Sequence, residues 1–222
     1  MEEKSLKKMK APEEIWKQAA ERYPAIKVCE EEIMKAYCEM RESFERGGKL
    51  LICGNGGSNA DAQHIVGELM KENRLRRPVS EGFAAACRRL YPGEALEDQV
   101  QGALPAIAIG ACQALYSAYA NDAASDMAYA QEVFGYGRPG DVLLALSTSG
   151  NSRNVINAVK VAAAAGLRCI GMGGRDGGRL RELCDIYVAL PERETYLVQE
   201  LTLPVYHAWC RMLECAFWGA HK

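Results

Sequence analysis

Apolar positions along this chain follow two rhythms. Between residues 12 and 46, Ile15, Ala19, Ile26, Ile33, Met34, Tyr37 and Met40 recur at helical intervals, with Pro24 separating two helices and Gly47-Gly48 ending the second. From Lys49 onward, short apolar runs alternate with helical patterns. The runs at 50–53, 104–109, 141–146, 169–172 and 186–190 are expected strands, each closed by a turn signal. Strands alternating with helices predict a parallel sheet covered by helices on both faces, the α/β class. Two further helices are expected, a short one at 81–90 and a long one at 194–217 that Pro204 kinks or breaks. Residues 1–48 are thus expected to be a helical segment packing on the core and on neighbouring subunits, and residues 49–222 the α/β unit, with a single domain overall.

The stretch KLLICGNGGSNADAQHIVGE, residues 49–68, joins the first strand to a glycine-rich turn and then to a helix. Glycines in Gly54-Asn55-Gly56-Gly57 permit positive φ and let a ligand approach the main chain. Ser58, with Asp61 three residues on, has the form of a capping box and places the helix start at Ser58. Unpaired N–H groups at such a start favour an anionic or polar ligand. His64 and Glu68 follow on one helical face, a base beside a candidate metal ligand.

A second loop, Ser147-Thr148-Ser149-Gly150-Asn151-Ser152, lies between the third strand and the next helix. Its four hydroxyls and main-chain N–H groups, on the edge of the sheet where ligands bind, suit the phosphate of a sugar. On the last helix, residue type alone leaves His207 either a satisfied core group or a functional one, and His221 falls in the C-terminal tail.

Composition narrows the classes. A net charge of −2, with both signs mixed along the chain, offers no field for nucleic acid, and Arg74, Arg76 and Arg77 read either as phosphate contacts or, the favoured reading, as a solvated face. Nine cysteines without a C-x-x-C pair read as buried free thiols of a reducing, cytoplasmic setting. The start MEEKSLKKMK lacks a signal-peptide core, and no apolar run approaches the ~18 residues of a membrane span. Gly54-x-Gly56 lacks the third glycine of a dinucleotide fingerprint, the second strand ends in Gly110 rather than an acid, and no P-loop occurs. The polar segment 71–102 reads as either a lid or a surface insertion.

Five blocks occur in one order: GNGGSNADAQHIVGEL, Asn121-Asp122, GRPGDVLLALSTSGNSRNVINAVKVAAAAGL, GRDGGRLRELCD and VQELTLPVYH. Together they resemble the SIS sugar-isomerase family, and within it the phosphoheptose isomerases. That resemblance implies a three-layer αβα sandwich with a five-stranded parallel, flavodoxin-like sheet, a homotetramer with sites at subunit interfaces, and one zinc ion per site. It implies substrate contacts at Asn55, Gly56, Gly57, Ser58, Glu68, Asn121, Asp122, Ser147, Thr148, Ser149, Ser152 and Gln199. Metal ligation would fall to His64, Glu68, Gln199 and His207, and acid/base work to Glu68 and His207. The implied reaction converts sedoheptulose 7-phosphate to a manno-heptose 7-phosphate through an enediolate. A different reading is a non-catalytic module sensing sugar phosphates or associating with a replication initiator; the full His, Glu, Gln, His set favours the enzyme. The connection from Met70 to Leu104 is longer than the family pattern.

Gln199 and His207 are eight residues apart, ~12 Å along a straight helix and about 80° around it. One metal is hard to reach from both. Either the helix is distorted near Pro204 or the site is shared, and the sequence favours a shared site in which Glu68 and His207 come from different chains.

Overall fold

The computed structural model describes residues 11–219; residues 1–10 and the tail with His221 lie outside them. Helices α1 (Pro12–Arg22) and α2 (Glu30–Glu45) flank a 3-10 turn at Pro24–Cys29, so Pro24 does separate two α-helices. The chain then runs β1 (Leu50–Cys53), α3 (Gly57–Met70), α4 (Glu81–Leu90), α5 (Leu96–Gln99), β2 (Ala106–Ala108), α6 (Gln113–Asp122), α7 (Ala128–Tyr136) and β3 (Val142–Leu146). It closes with α8 (Arg153–Ala164), β4 (Arg168–Gly173), α9 (Leu180–Leu183), β5 (Ile186–Ala189) and α10 (Thr195–Trp218).

All five strands are parallel, in the order β2-β1-β3-β4-β5. The winding reverses between β1 and β3, so the loops after these two strands flank the switch point of the sheet. Alternate strand residues feed two cores. Leu50, Ile52, Leu144, Ile170 and Val188 pack with the N-terminal helices, α3 and α10, while Leu51, Cys53, Leu143, Ala145 and Cys169 pack with α7 and α8. Helices therefore cover both faces, and continuous apolar runs are the pattern such strands require.

The N-terminal segment is built into the first core. Trp209 Nε1 donates to the Ile33 carbonyl at 2.9 Å, and the Cys29 thiol meets the Ala189 carbonyl at 2.9 Å. At the third strand the expected start moves by one residue. Asp141 stays outside β3 because its carboxylate is engaged: it accepts from the backbone N–H groups of Lys49 and Arg138 and from Lys49 Nζ. The nine cysteines are free, six of them buried, with Cys112 exposed and Cys38 and Cys184 half-buried. No helix among the described residues is long and apolar enough to cross a membrane.

Two expectations are corrected. Of the kink or break expected at Pro204, the break is absent: α10 runs through the buried proline, which leaves out one backbone donor. Arg77 is not on a solvated face. It is 1 % exposed and ion-paired to the equally buried Glu214 at 2.9 Å.

Candidate active site

The first loop departs from the capping box its sequence suggests. Helix α3 starts at Gly57, with Gly56 as N-cap at φ 55 and ψ −121, a backbone region that glycine alone enters readily. No side chain caps the helix. Ser58 is one residue inside and buried, because Gly54 lies directly against its β-carbon, while Asp61 turns toward α10. Asn55, Gly56 and Gly57 remain exposed with the helix N-terminus behind them.

Across the switch point the second loop is drawn tight. Ser147 Oγ and Ser152 Oγ are 3.2 Å apart, and Asn151 N–H donates to Ser149 Oγ at 3.2 Å. Asn151 also accepts from Arg179 N–H, and Gly174 N–H donates to the Thr148 carbonyl, so the loop after β4 backs the cradle. Asn154, at the start of α8, exchanges two amide hydrogen bonds with Asn55 at 2.9 and 2.8 Å. Tyr129 adds a third tie, donating to the Gly54 carbonyl at 2.8 Å. Asn121 and Asp122 end α6, exposed and hydrogen-bonded to each other at 2.8 Å. The turn that follows them reaches the same edge, since Asp126 pairs with Arg153 at 3.0 Å.

The ionisable residues sit further along α3 and α10. His64 Nε2 lies 3.6 Å from Glu68 Oε1, and the His64 and His207 rings meet edge to face at 5.1 Å. Tyr206 donates its hydroxyl to Asp61 at 3.3 Å, and the His64 Nδ1 is 2.9 Å from the Tyr206 oxygen. Burial raises the Asp61 carboxyl above its ordinary range, opposed by the Tyr206 hydrogen bond. Burial first, and then the neighbouring His64, hold His207 below the ordinary histidine value, which keeps it neutral at pH 7.

His64, Glu68 and His207 are thus brought together within one chain. A single chain therefore already sets Glu68 near His207, and the expected sharing of a site between chains becomes part of the proposal below. Gln199 is not with them: a β-carbon on Gly57 would lie 2.6 Å from Gln199 Nε2, so this side chain belongs to the first loop. The reason is that α3 and α10 run side by side in the same direction, which pairs Gly57 with Gln199 and His64 with Tyr206 and His207.

An imidazole nitrogen 3.6 Å from a carboxylate oxygen has the residue chemistry and near the ligand spacing of a zinc site, in which bonds of ~2.0–2.1 Å set neighbouring donors a little over 3 Å apart. The tyrosine behind His64 is the outer support such ligands use. Among the described residues, however, no three His, Cys, Asp or Glu side chains are arranged to hold one ion.

The sequence reading missed Asn154, Tyr206, Asp61 and Asn73, whose amide donates to Glu68 Oε2. Only Asp61, one turn before His64, carried a signal. Two clefts, of about 560 and about 480 Å³, lie in the 71–103 insertion, and no expected site residue lines either. The His64, Glu68 and His207 cluster sits outside them.

Residues 17–104 and 100–174 match the model of the SIS domain. The chain is 37% identical to the phosphoheptose isomerase of Trichlorobacter lovleyi over 80% of its length and 79% of the relative's. It is similar in structure to the phosphoheptose isomerase of Neisseria gonorrhoeae, with a TM-score of 0.69 at 31% identity, covering 91% of this chain and 97% of the other. The corresponding enzyme of Francisella tularensis gives 0.72 at 25% identity, covering 90% and 95%.

Proposed function

This chain belongs to the SIS domain family, among its phosphoheptose isomerases, and from that premise we propose that it converts sedoheptulose 7-phosphate to D-glycero-D-manno-heptose 7-phosphate. The observation that carries the proposal is the cluster of Glu68, His64 and a neutral His207 on facing helices. Glu68 takes a proton from C1 of the ketose, the C2 oxygen gains a proton to give an enediol, and return of the carbon-bound proton to C2 with loss of the O1 proton leaves the C1 aldehyde. Neutral His207 has one nitrogen that donates and one that accepts, which suits moving the proton between the two oxygens. Holding the phosphate on Ser147, Thr148, Ser149 and Ser152, with Asn55, Gly56, Gly57, Ser58, Asn121 and Asp122 toward the sugar, fixes the reacting carbons.

These two sets are built on opposite ends of α3. Gly57 and Glu68 are eleven residues apart, so their Cα atoms are separated by ~16 Å along a straight helix. We therefore infer a closed oligomer, a homotetramer in the family's manner, in which the loops and Gln199 of one copy face His64, Glu68 and His207 of another. Within one copy only the His64–Glu68 pair has the spacing of metal ligands, so a zinc ion would be held by these two together with groups brought up on assembly, that Gln199 among them, and when bound would supply a Lewis acid for the substrate oxygens.

The test is turnover of sedoheptulose 7-phosphate by folded protein, with zinc added or chelated. No product under either condition overturns the activity. Metal content and melting temperature, measured before and after chelation, decide zinc binding separately: no bound zinc and no shift sink the metal assignment.

A further inference from the structure

The insertion after α3 is joined to Glu68 itself. Asn73 Nδ2 donates to Glu68 Oε2, the carboxylate oxygen turned away from His64. Asn73 is in turn held by its backbone, whose N–H donates to Glu214 Oε1 at 2.9 Å, and the next N–H, of Arg74, donates to Glu214 Oε2 at 3.0 Å. Glu214 also accepts from Arg77 Nε at 2.9 Å. Arg77 also donates to α3: Nη1 meets the Leu69 carbonyl at 2.7 Å and Nη2 the Glu68 carbonyl at 3.0 Å. Its guanidinium lies 4.8 Å from the centre of the Trp218 ring.

We propose that Asn73 is a positioning residue for Glu68, and that the buried Arg77–Glu214 pair is the base on which it stands. A carboxylate that must take a proton from carbon needs its free oxygen aimed, and an amide on the other oxygen removes one rotational degree of freedom. Arg77 ties both ends of the lever together, since it binds the carbonyl of Glu68 and the acid that holds the Asn73 backbone. The opening residues of the insertion are then part of the reaction machinery rather than a surface addition.

The inference rests on the proposed isomerisation, and its test separates the two. Asn73→Ala removes the donor, while Asn73→Asp keeps the shape and replaces N–H with oxygen; both retain the backbone bond to Glu214. Each variant should lose kcat about tenfold or more with KM within about twofold, the signature of a misaimed group. Asn73→Gln, whose amide can reach the same oxygen, should recover part of it. Unchanged kcat in the Asp variant overturns the proposal, as does a loss confined to KM. A second readout needs no turnover: in a crystal structure of Asn73→Asp the Glu68 carboxylate should leave its approach to His64. Finding it in place would also overturn the proposal, whereas a wild-type protein inert toward the heptulose phosphate counts only against the reaction assigned above.

Discussion

Asn55 and Asn154 exchange two amide hydrogen bonds across the switch point of the sheet, joining the glycine loop after β1 to the helix that follows the hydroxyl loop after β3. Each amide uses its donor and its acceptor on the other, so neither loop moves alone. Asn154→Ala should release Asn55 and raise KM for the sugar phosphate several-fold, with a smaller change in kcat. Steady-state kinetics decide it, and an unaltered KM would mean that the pair only decorates the surface.

Glu68→Gln should abolish the chemical step while substrate still binds, because the phosphate cradle is on another loop. A loss of about 10³-fold or more in kcat is expected for removal of the base. Calorimetry with the heptulose phosphate should show affinity near that of the wild type; near-normal turnover would assign the base elsewhere.

On the proposed arrangement, in which Glu68 and His207 of one site come from one chain, inactive Glu68→Gln and His207→Ala proteins should not rescue each other on mixing, beyond the rare site rebuilt elsewhere. Mixing Glu68→Gln with a cradle variant such as Ser149→Ala/Thr148→Ala should restore part of the activity once subunits exchange. Exchange is followed with mass-tagged subunits, and rescue by the first mixture alone would reverse the assignment of groups to chains.

Arg77 and Glu214 are 0% and 2% exposed in their side chains, so removing one partner strands a buried charge. Arg77→Met should cost about 3–5 kcal/mol of stability in urea unfolding, and replacing both partners should cost less than the sum of the two single changes. A cost under about 1 kcal/mol would contradict the buried pair as an anchor.

Glu132 is 2% exposed; its Oε2 accepts from Gly110 N–H at 3.0 Å and its Oε1 has no hydrogen-bond partner among the described residues. Burial raises its carboxyl above the ordinary 4.5, opposed by the Gly110 bond. A raised folded-state value means that the protonated acid suits the fold, so stability is complete below 4.5 and is lost as pH rises through the raised value. Glu132→Gln keeps an acceptor for Gly110 without the charge. Its melting temperature should exceed the wild type's at pH 7 to 8 and converge with it near pH 4; an equal gap at all pH values would rule out ionisation as the cause.

Much of the fold was legible because short continuous apolar runs and helical spacings are local properties of the chain. They located the five strands to within one or two residues at most ends and set α4 at its observed bounds. The hydroxyl loop and the His64–Glu68 pair were legible for the same reason, since each lies within one turn or loop. Only the tertiary structure decided what depends on how distant elements pack. Parallel packing of α3 on α10 put His207 beside His64 and left Gln199 at Gly57, a register no helical wheel contains. Arg77 read as solvated because its type favours water, yet Glu214, 137 residues away, and the carbonyls ending α3 satisfy its donors in the interior. Likewise Asn73 and Asn154 are ordinary polar residues in sequence, and acquire a role only through the side chains that folding sets opposite them.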